Sequence, residues 1–330
     1  MPIRQLPVLI ALFFILSSHQ PSWGKEINLA FSTMTLNNTA LWIARDLGFL
    51  KKNGIDAQVI YVQGGGVLVQ GMLSGNIPVA LTSGSQAVAS NLAGSDIVLF
   101  STLHAGAGPR YLGVNKEIQN AAQLKGKKLA VSRFGSSSDF ILRFALRKAG
   151  LDPDKDIAIL QIGNSPDRLA AMRNGQISGT MLTTEDKWFA DKLGFRTLLD
   201  VYEYGFENVT ASAMASRRYL TEQRETARAI MRSLLEAIHF AKTRREETIK
   251  VIARNSKISD SSILEEGQKF LATGYLAKPY PSLKGIQFAL QDLDRTKPGV
   301  AELNPARFAD MDLVKEFDTS GFIDRLYSKK

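Results

Sequence analysis

Short apolar runs alternate with amphipathic stretches over the first hundred residues of the chain. The runs predict strands at residues 27–31, 57–62, 77–82 and 97–100, and the stretches between them predict helices at 38–52, 67–73 and 86–92. In the first helix apolar residues recur at three-residue steps, and Gly54 stands where a C-cap glycine is common. Strands separated by single helices favour a mostly parallel sheet with helices on both faces.

The same alternation then starts again. Strands are predicted at residues 128–132, 158–162, 177–182 and 196–199, with helices at 139–148, 167–173 and 186–193. One segment of the first half, Met-Leu-Ser-Gly-Asn-Ile at 72–77, is echoed by Met-Arg-Asn-Gly-Gln-Ile at 172–177. An echo within a matching order of elements supports two lobes of the same α/β architecture.

Two segments are candidates for the crossings between these lobes. The first, 101–115, is rich in glycine and contains Pro109, and the second is 204–215. From residue 219 onward the pattern is helical, with amphipathic stretches at 221–254, 261–273, 283–294 and 307–327. We expect this tail to pack back on the first lobe, so that two crossings form a hinge. The predicted domains are a signal peptide at 1–24, lobe 1 at 25–108 and 212–330, and lobe 2 at 109–211.

The N-terminus has the pattern of a secretory signal peptide. Arg4 precedes an apolar run at 6–16, and Ser22 and Gly24 supply small residues for cleavage near Gly24. The alternative is a membrane anchor, but the run is shorter than the roughly 20 apolar residues that span a bilayer. The chain has no cysteine, which excludes disulfides, thiolate metal sites, a cysteine nucleophile and a lipid-modified cysteine. These features predict export to the periplasm.

Composition and charge narrow the function classes. The chain is 45% hydrophobic and 22% charged, as in ordinary globular proteins, and its formal net charge is +9. A basic balance can indicate nucleic acid or an anionic ligand. Here the basic residues are scattered over polar stretches, which we expect to be solvent-exposed surfaces of helices and turns. Together with export, this argues against a nucleic-acid partner.

The candidate ligand-binding residues follow the predicted strands, because open α/β sheets bind ligands beyond the carboxyl ends of their strands. Nearly all are small or hydroxylated, which would let a ligand reach the free N–H groups of helix N-termini. The competing interpretation is capping, since helix starts use the same residue types. In lobe 1 the candidates are Ser32, Thr33, Met34, Thr35, Asn37, Gln63, Gly64, Gly65, Ser83, Gly84 and Ser85. In lobe 2 they are Arg133, Phe134, Gly135, Ser136, Ser137, Ser138, Thr183, Thr184 and Glu185.

Aromatic residues add candidates for stacking on a flat ligand. Trp188 lies on the first turn of a helix that begins at the cleft, and we include it among the ligand-binding residues. Trp42 occupies a similar place, but its apolar neighbours favour core packing. Tyr111 is a weaker candidate wall, and His104 lies in the first crossing. Whether His104, Tyr111 or Trp42 touches ligand is left open by the sequence.

Signatures of catalysis are weak. Beyond the signal peptide the chain has two histidines, and neither has a zinc-binding spacing. No G-x-S-x-G elbow or phosphate-binding loop occurs. Glu185 and Asp186 are adjacent, so a helix would direct them to different faces. We therefore predict a protein that is not an enzyme, with no catalytic residue, no metal and no cofactor.

Three segments carry a family resemblance. The run Asn-Thr-Ala-Leu-Trp-Ile-Ala-Arg-Asp-Leu-Gly-Phe-Leu-Lys-Lys-Asn-Gly-Ile-Asp at 38–56, the Gly-Gly turn and strand at 63–82, and Leu-Lys-Gly-Lys-Lys-Leu-Ala-Val at 124–131 resemble nitrate/sulfonate/taurine-type ABC transporter substrate-binding proteins. That family is related to the thiamine-pyrimidine-precursor binding proteins. The resemblance implies a type II periplasmic-binding-protein fold, a monomer, and delivery of ligand to an inner-membrane ABC permease with a cytoplasmic ATPase. It places ligand-binding loops on 32–37 and 135–138.

The resulting hypothesis is capture of a small-molecule ligand by closure of the two lobes. Asp139, Glu185 and Asp186 put acid near the edge of lobe 2, which disfavours a bare inorganic anion. We expect a small polar organic ligand of the sulfonate, carboxylate or pyrimidine-like class. Two alternatives stay open at this point: a periplasmic sensor partner that presents ligand to a membrane receptor, and an enzyme that shares the fold.

Overall fold

Two five-stranded sheets organise the chain in a computed structural model that describes residues 26–104, 110–207, 209, 211–294 and 296–328. The strands are β1 Ile27–Phe31, β2 Ala57–Tyr61, β3 Val79–Thr82, β4 Ile97–Thr102, β5 Tyr111–Val114, β6 Lys128–Val131, β7 Ala158–Gln161, β8 Gly179–Leu182, β9 Arg196–Asp200 and β10 Ser212–Ser216. The first sheet has the order β2-β1-β3-β10-β4 and the second β7-β6-β8-β5-β9. We refer to each sheet with its packed helices as lobe 1 and lobe 2.

The two sheets share one topology. In lobe 1, β1 pairs in parallel with β2 and β3, and β10 lies antiparallel between β3 and β4. In lobe 2, β6 pairs in parallel with β7 and β8, and β5 lies antiparallel between β8 and β9. The prediction of two lobes of the same architecture is confirmed. Each sheet is mixed, because one reversed strand interrupts the otherwise parallel order.

Fourteen α-helices flank the sheets within the described residues. They are α1 Thr39–Asp46, α2 Phe49–Lys52, α3 Gly65–Leu73, α4 Gly84–Leu92, α5 Ser137–Lys148, α6 Ser165–Arg173, α7 Thr184–Lys192, α8 Arg217–Glu222, α9 Arg224–Thr243, α10 Arg245–Ser256, α11 Ser261–Gly274, α12 Leu283–Leu293, α13 Asp312–Thr319 and α14 Phe322–Ser328. Short 3-10 turns occur at Leu36–Asn38, Ala121–Leu124, Val201–Tyr204, Val300–Glu302 and Pro305–Phe308. Of these helices, none is long and apolar enough to cross a membrane.

Two long helices expected from the sequence are broken. The stretch 38–52 divides into α1 and α2 because Gly48 takes a left-handed conformation with φ 74°. The stretch 221–254 becomes parts of α8, α9 and α10, with breaks at Gln223 and Arg244. An amphipathic period continues across such breaks, since the apolar face of each piece still meets the same core.

The helical tail packs on lobe 1, as expected. Ile230 and Leu234 of α9 and Leu313 of α13 are buried in one cluster with Leu29 and Phe31 of β1. Lobe 2 has clusters of its own, and Leu129 of β6 is buried in one of them. Each sheet therefore carries its own core.

The two crossings between the lobes are hydrogen-bonded to each other at their ends. Residues 103–110 connect β4 to β5, and residues 201–211 connect β9 to β10. At the lobe 1 end the Leu103 N–H donates to the Ala211 carbonyl at 2.7 Å, and at the lobe 2 end the Val201 N–H donates to the Arg110 carbonyl at 3.0 Å. The predicted crossings, 101–115 and 204–215, were too wide. They include the end of β4, all of β5 and most of β10. Strands β5 and β10 have only four and five residues, and neither stands out from its neighbouring loop in the sequence. The residue boundaries of the domains stay a prediction, and the signal peptide lies outside the described residues.

Candidate functional site

Strand tips of the two lobes meet across the gap between the sheets. The Leu36 N–H, which follows β1, donates to Glu185 Oε1 of α7 at 3.0 Å. The Gln86 side-chain amide, on α4, donates to the Gly135 carbonyl that follows β6. Arg133 lies against Gly64, where an added Cβ would come within 2.7 Å of the Arg133 Cδ. Loops from both lobes that the sequence singles out are thus brought together, although their role in ligand binding stays a prediction.

In lobe 1 the tip hydroxyls are not used as helix caps. Ser32 bonds to Thr82 through the two hydroxyls, and Ser83 bonds to Ser85 at 2.8 Å. Neither Thr35 nor Ser83 makes a side-chain cap bond to the helix that follows it. The capping interpretation therefore does not account for these lobe 1 positions.

The rest of the first loop becomes more buried toward its end, at Leu36 and Asn37. The Thr33 carbonyl accepts from the Asn38 side-chain amide at 2.6 Å, and the Thr33 and Thr35 hydroxyls lie 3.2 Å apart. Met34 is 47% exposed and stands out from this loop. Asn37 is buried, and its Oδ1 has no hydrogen-bond partner among the described residues. An unpaired buried acceptor of this kind is costly unless a further donor reaches it.

In lobe 2 the hydroxyls do cap helices. The Ser136 hydroxyl accepts from the Asp139 N–H at the start of α5. Thr183 and Asp186 form a reciprocal capping box at the start of α7, with both bonds at 3.2 Å. Ser138 is buried beside Ser136, and Ser137 is half-buried. For Ser136 and Thr183 the capping interpretation holds. Thr184 differs, because its buried hydroxyl has no partner among the described residues.

Glycines at the tips allow close approach. A Cβ at Gly65 would lie 2.9 Å from Gln86 Cγ, and one at Gly84 would lie 2.5 Å from a methyl carbon of Leu99. Gly64 has φ 91°, which favours glycine. Gln63 is exposed, and its Nε2 would lie 3.5 Å from a Cβ at Gly163 of the opposite lobe.

Glu185 is the buried acid of the gap. It is 5% exposed and accepts hydrogen bonds from the N–H groups of Leu36 and Glu185 itself and from the Thr183 hydroxyl. Burial, and to a smaller degree the adjacent charge of Asp186, raises the pKa of Glu185 to about 7. Asp186 accepts from the Ser165 hydroxyl at 2.6 Å. Enclosure of this carboxyl therefore favours its protonated form.

Arg133 is the exposed cation of the gap. Among the described residues it makes no ion pair, and its charge acts on Tyr61 of β2, where burial is the larger effect and raises the pKa of the phenol. Phe134 beside it is 55% exposed, with its N–H donating to Gln161 Oε1 at 2.7 Å. A guanidinium without a carboxylate partner can donate hydrogen bonds to an acidic group of a ligand.

The aromatic candidates separate into core and gap residues. Trp42 is 1% exposed and packs edge-on against Phe31, so its expected place in the core is confirmed. His104 is also buried: its Nε2 lies 3.2 Å from the Phe270 carbonyl, and its ring stacks on the Phe270 ring. Trp188 of α7 is half-buried and packs against the core of lobe 1 from lobe 2. Tyr111 is half-buried at the start of β5, beneath the Arg110 guanidinium.

Sequence reasoning missed several residues that join the lobes. Gln86 stands three positions after Ser83, so helical spacing from the tip could have found it. Leu36 contributes only its backbone N–H, which no side-chain pattern signals. Lys192 of α7 pairs with Asp260, and Phe206 of the second crossing packs on Phe288 of α12. These contacts link sequence positions whose pairing only the fold reveals.

Cavities elsewhere on the surface are shallow and polar. One of about 600 Å³ lies between α8 and α13 and includes Arg224 and Glu316, and one of about 520 Å³ lies beside α2 and α9 and includes Lys52 and Arg232. Both lie on the helical side of lobe 1, away from the strand tips. Among the described residues no group of His, Cys, Asp and Glu has an arrangement suited to a metal ion.

Comparison with known proteins decides the family. The model of the NMT1-like family matches residues 21–255, which is most of the chain. The chain belongs to the NMT1-like family. Its expected resemblance to substrate-binding proteins of the nitrate and sulfonate type is thereby confirmed.

Several proteins named for the ligands they bind are similar to this NMT1-like protein in sequence or in structure. It is 26% identical over 291 residues to the bicarbonate-binding protein CmpA of Synechococcus elongatus, and the match covers 76% of this chain and 64% of CmpA. The periplasmic aliphatic sulphonate-binding protein SsuA of Escherichia coli aligns with a TM-score of 0.69 at 18% identity, covering 86% of this chain and 91% of SsuA. The periplasmic nitrate-binding protein NrtA of Synechocystis PCC 6803 aligns with a TM-score of 0.72 at 14% identity, covering 89% and 88%. These structures confirm the periplasmic-binding-protein fold.

Proposed function

We propose that this protein is the periplasmic solute-binding component of an ABC importer. It captures a small polar organic ligand between its lobes and delivers it to an inner-membrane permease that works with a cytoplasmic ATPase. Membership of the NMT1-like family supports this role, as do relatives that bind bicarbonate, sulphonate and nitrate. The proposal includes export by the signal peptide predicted at 1–24 and capture as a monomer, since one chain supplies both lobes.

The observation that carries the proposal is the meeting of strand tips from two separate sheets. Leu36 and Gln86 of lobe 1 reach Glu185 and Gly135 of lobe 2, while two adjacent crossings connect the sheets. A ligand that bridges these tips makes contacts only when the lobes are together. That difference in affinity between the closed and open states is what drives closure.

The charged groups of the gap indicate the chemistry of the ligand. Arg133 is available for an acidic head group, such as a sulfonate or carboxylate. Glu185 and the unpaired Oδ1 of Asn37 accept hydrogen bonds, which suits N–H or O–H donors on the body of the ligand. A molecule with an acidic end and a donor-bearing polar or pyrimidine-like body satisfies both sides.

Binding without turnover is part of the proposal. The two neighbouring acids of α7 hold structural bonds: Asp186 belongs to the capping box, and Glu185 bonds to the Leu36 N–H. His104 is enclosed by Phe270 and Tyr275 in the interior of lobe 1. Asp186 and His104 are thus held in structural contacts, and Glu185 has no second titratable group placed to act with it as an acid–base pair on a ligand.

Mass spectrometry of ligand that co-purifies with the mature protein tests the proposal directly. Calorimetric titration with an alkanesulfonate, a small carboxylate, an aminopyrimidine, nitrate and bicarbonate then ranks the classes. We expect binding in the micromolar range or tighter for one organic class and no product after prolonged incubation. A protein that bound only nitrate or bicarbonate, or that converted its ligand, would contradict the proposal.

A further inference from the structure

Glu185 makes a contact that belongs to neither lobe alone. Its carboxyl, on the first turn of α7 in lobe 2, accepts from the Leu36 N–H of lobe 1 at 3.0 Å, across 149 residues of sequence. Both residues are buried, at 5% and 1% exposure. A hydrogen bond from a buried N–H to a carboxyl is therefore made when the lobes meet and is exchanged for water when they part.

The charged surroundings of this carboxyl are simple. On its own helix the charged neighbour is Asp186, which is held by the Ser165 hydroxyl and lies in the field of Arg168 from α6. From lobe 1, the turn Leu36–Asn38 brings only uncharged groups. Helix α11, which packs against this turn through Gly267, buries Ile263, Leu264, Gly267, Gln268 and Leu271 and keeps Glu265, Glu266 and Lys269 exposed. No cation faces Glu185 directly among these described elements.

A carboxyl in such a place binds a proton more tightly when it is enclosed than when it is hydrated. Enclosure removes the water that solvates the charge, and Asp186 adds repulsion. These two effects outweigh the hydrogen bonds from the Leu36 and Glu185 N–H groups and the Thr183 hydroxyl, which favour the charged form, so the pKa of Glu185 rises to about 7. Lobe opening exposes the group and returns its pKa toward the ordinary value of 4.5. The closed form thus holds more protons than the open form between these two values, and acidification favours closure.

We propose that Glu185 is a proton-linked latch, which closes the two lobes on each other through the Leu36 N–H and releases them as the pH rises. The inference rests on the proposed capture function in one respect, since it takes the gap between the lobes to be the ligand site. The latch itself acts through residues of this chain alone, so it can be measured with no ligand added.

Because the chain has no cysteine, two introduced cysteines are the only sites that a thiol-reactive dye labels. Ser74→Cys at the end of α3 and Asn174→Cys at the end of α6 give one exposed labelling site on each lobe. Single-molecule energy transfer between dyes at these sites reports the ratio of closed to open protein. We expect this ratio to rise about tenfold between pH 8 and pH 6 in the otherwise unaltered protein.

Three further variants decide the assignment. Glu185→Gln keeps an acceptor for the Leu36 N–H but cannot titrate, so it stays closed at both pH values. Glu185→Ala leaves that N–H without its acceptor and lowers the closed-to-open ratio about tenfold at pH 6. Asp191→Asn, which removes an exposed carboxylate from the same helix, keeps the full pH response.

A closed-to-open ratio that does not change with pH, or that changes equally in the Glu185→Gln protein, overturns the latch. These results are separable from failure of the proposed function. A pH-driven closure in a protein that binds none of the tested ligands leaves the latch standing and removes only the capture role. Tight ligand binding with no pH response removes the latch and leaves the capture role standing.

Discussion

The Arg133 side chain crosses the gap to lie on Gly64, and the two residues belong to different lobes. Gly64 has φ 91°, and a Cβ there would come within 2.7 Å of Arg133 Cδ. Arg133 is exposed and flexible, so it would move aside rather than force the lobes apart. The missing Cβ of Gly64 leaves the space that the Arg133 side chain occupies, and a side chain at position 64 would displace it.

Gly64→Ala separates this positioning from backbone strain. The substitution costs folding stability because Gly64 has φ 91° and ψ 123°, a conformation that strains residues other than glycine, and it also displaces Arg133. Gly75→Ala is the control for a positive φ alone, since Gly75 has φ 79° and nothing within 4 Å of its Cβ position. We expect both variants to lose stability in urea unfolding, Gly64→Ala more than Gly75→Ala, but weaker ligand binding by calorimetry only for Gly64→Ala. Equal affinities would show that the position of Arg133 is irrelevant to binding.

Arg133→Gln tests the guanidinium itself. Loss of a charge-assisted hydrogen bond to an acidic head group lowers ligand affinity about tenfold or more. Arg173→Gln serves as the control, because Arg173 is an exposed cation at the end of α6 distant from the tips. Titration of both variants with the identified ligand checks this. If the two lost affinity equally, general attraction by the basic surface would explain the effect.

Of the two tryptophans among the described residues, Trp42 stabilises the core of lobe 1 and Trp188 joins the two lobes. Trp42→Ala leaves a cavity in the core of lobe 1 and destabilises the fold by about 3–5 kcal/mol, measured by urea unfolding. Trp188 packs on the same core, but it comes from lobe 2. We expect Trp188→Ala to lower the closed-to-open ratio in the energy-transfer experiment while changing the unfolding of the lobes much less. A large loss of stability in both variants would contradict this division.

His104 makes folding stability depend on pH. Burial is the largest cause of its low pKa, which is about 4 compared with the ordinary value of 6.5. The unfolded chain binds the proton more tightly than the folded one, so the stabilisation is complete above pH 6.5 and is lost as the pH falls toward 4. From pH 7 to pH 5 this amounts to about 2 kcal/mol.

Glu185 acts in the opposite direction, because its raised pKa costs folding stability as the pH rises from 4.5 to about 7. The contribution of His104 is therefore measured as a difference. We expect His104→Gln to be less stable than the unaltered protein at pH 7 but to lose about 2 kcal/mol less between pH 7 and pH 5 in urea unfolding. Parallel pH dependence in the two proteins would exclude His104 as the titrating group.

Much of the fold follows from local patterns, and the rest depends on long-range pairing. The central strands β1, β3, β6 and β8 are predicted because their apolar runs are buried on both faces. Strands β5 and β10, which follow the two crossings, are missed because each is short and adjoins a loop rich in glycine or polar residues. The break at Gly48 is invisible to periodicity, since the apolar face of the helix continues on both sides of it.

The candidate site divides in the same way. The residues after each strand are predictable, because the rule for parallel sheets depends only on where strands end. Which tips touch is a different matter: Leu36 and Glu185 are 149 residues apart and meet through a backbone N–H. Local sequence likewise does not tell Ser136, which caps a helix, from Ser83, which does not.

Strand β10 joins β4 to the rest of the first sheet, and it follows the whole second sheet in the chain. As the polypeptide leaves the ribosome or the export channel, β4 has no neighbour to bond until residue 216 has emerged. The second sheet does not wait for a later segment of the chain, because all of its strands lie between Tyr111 and Asp200. Lobe 2 can thus fold before lobe 1 is complete. Strand β10, which follows lobe 2 in the chain, then completes the sheet of lobe 1.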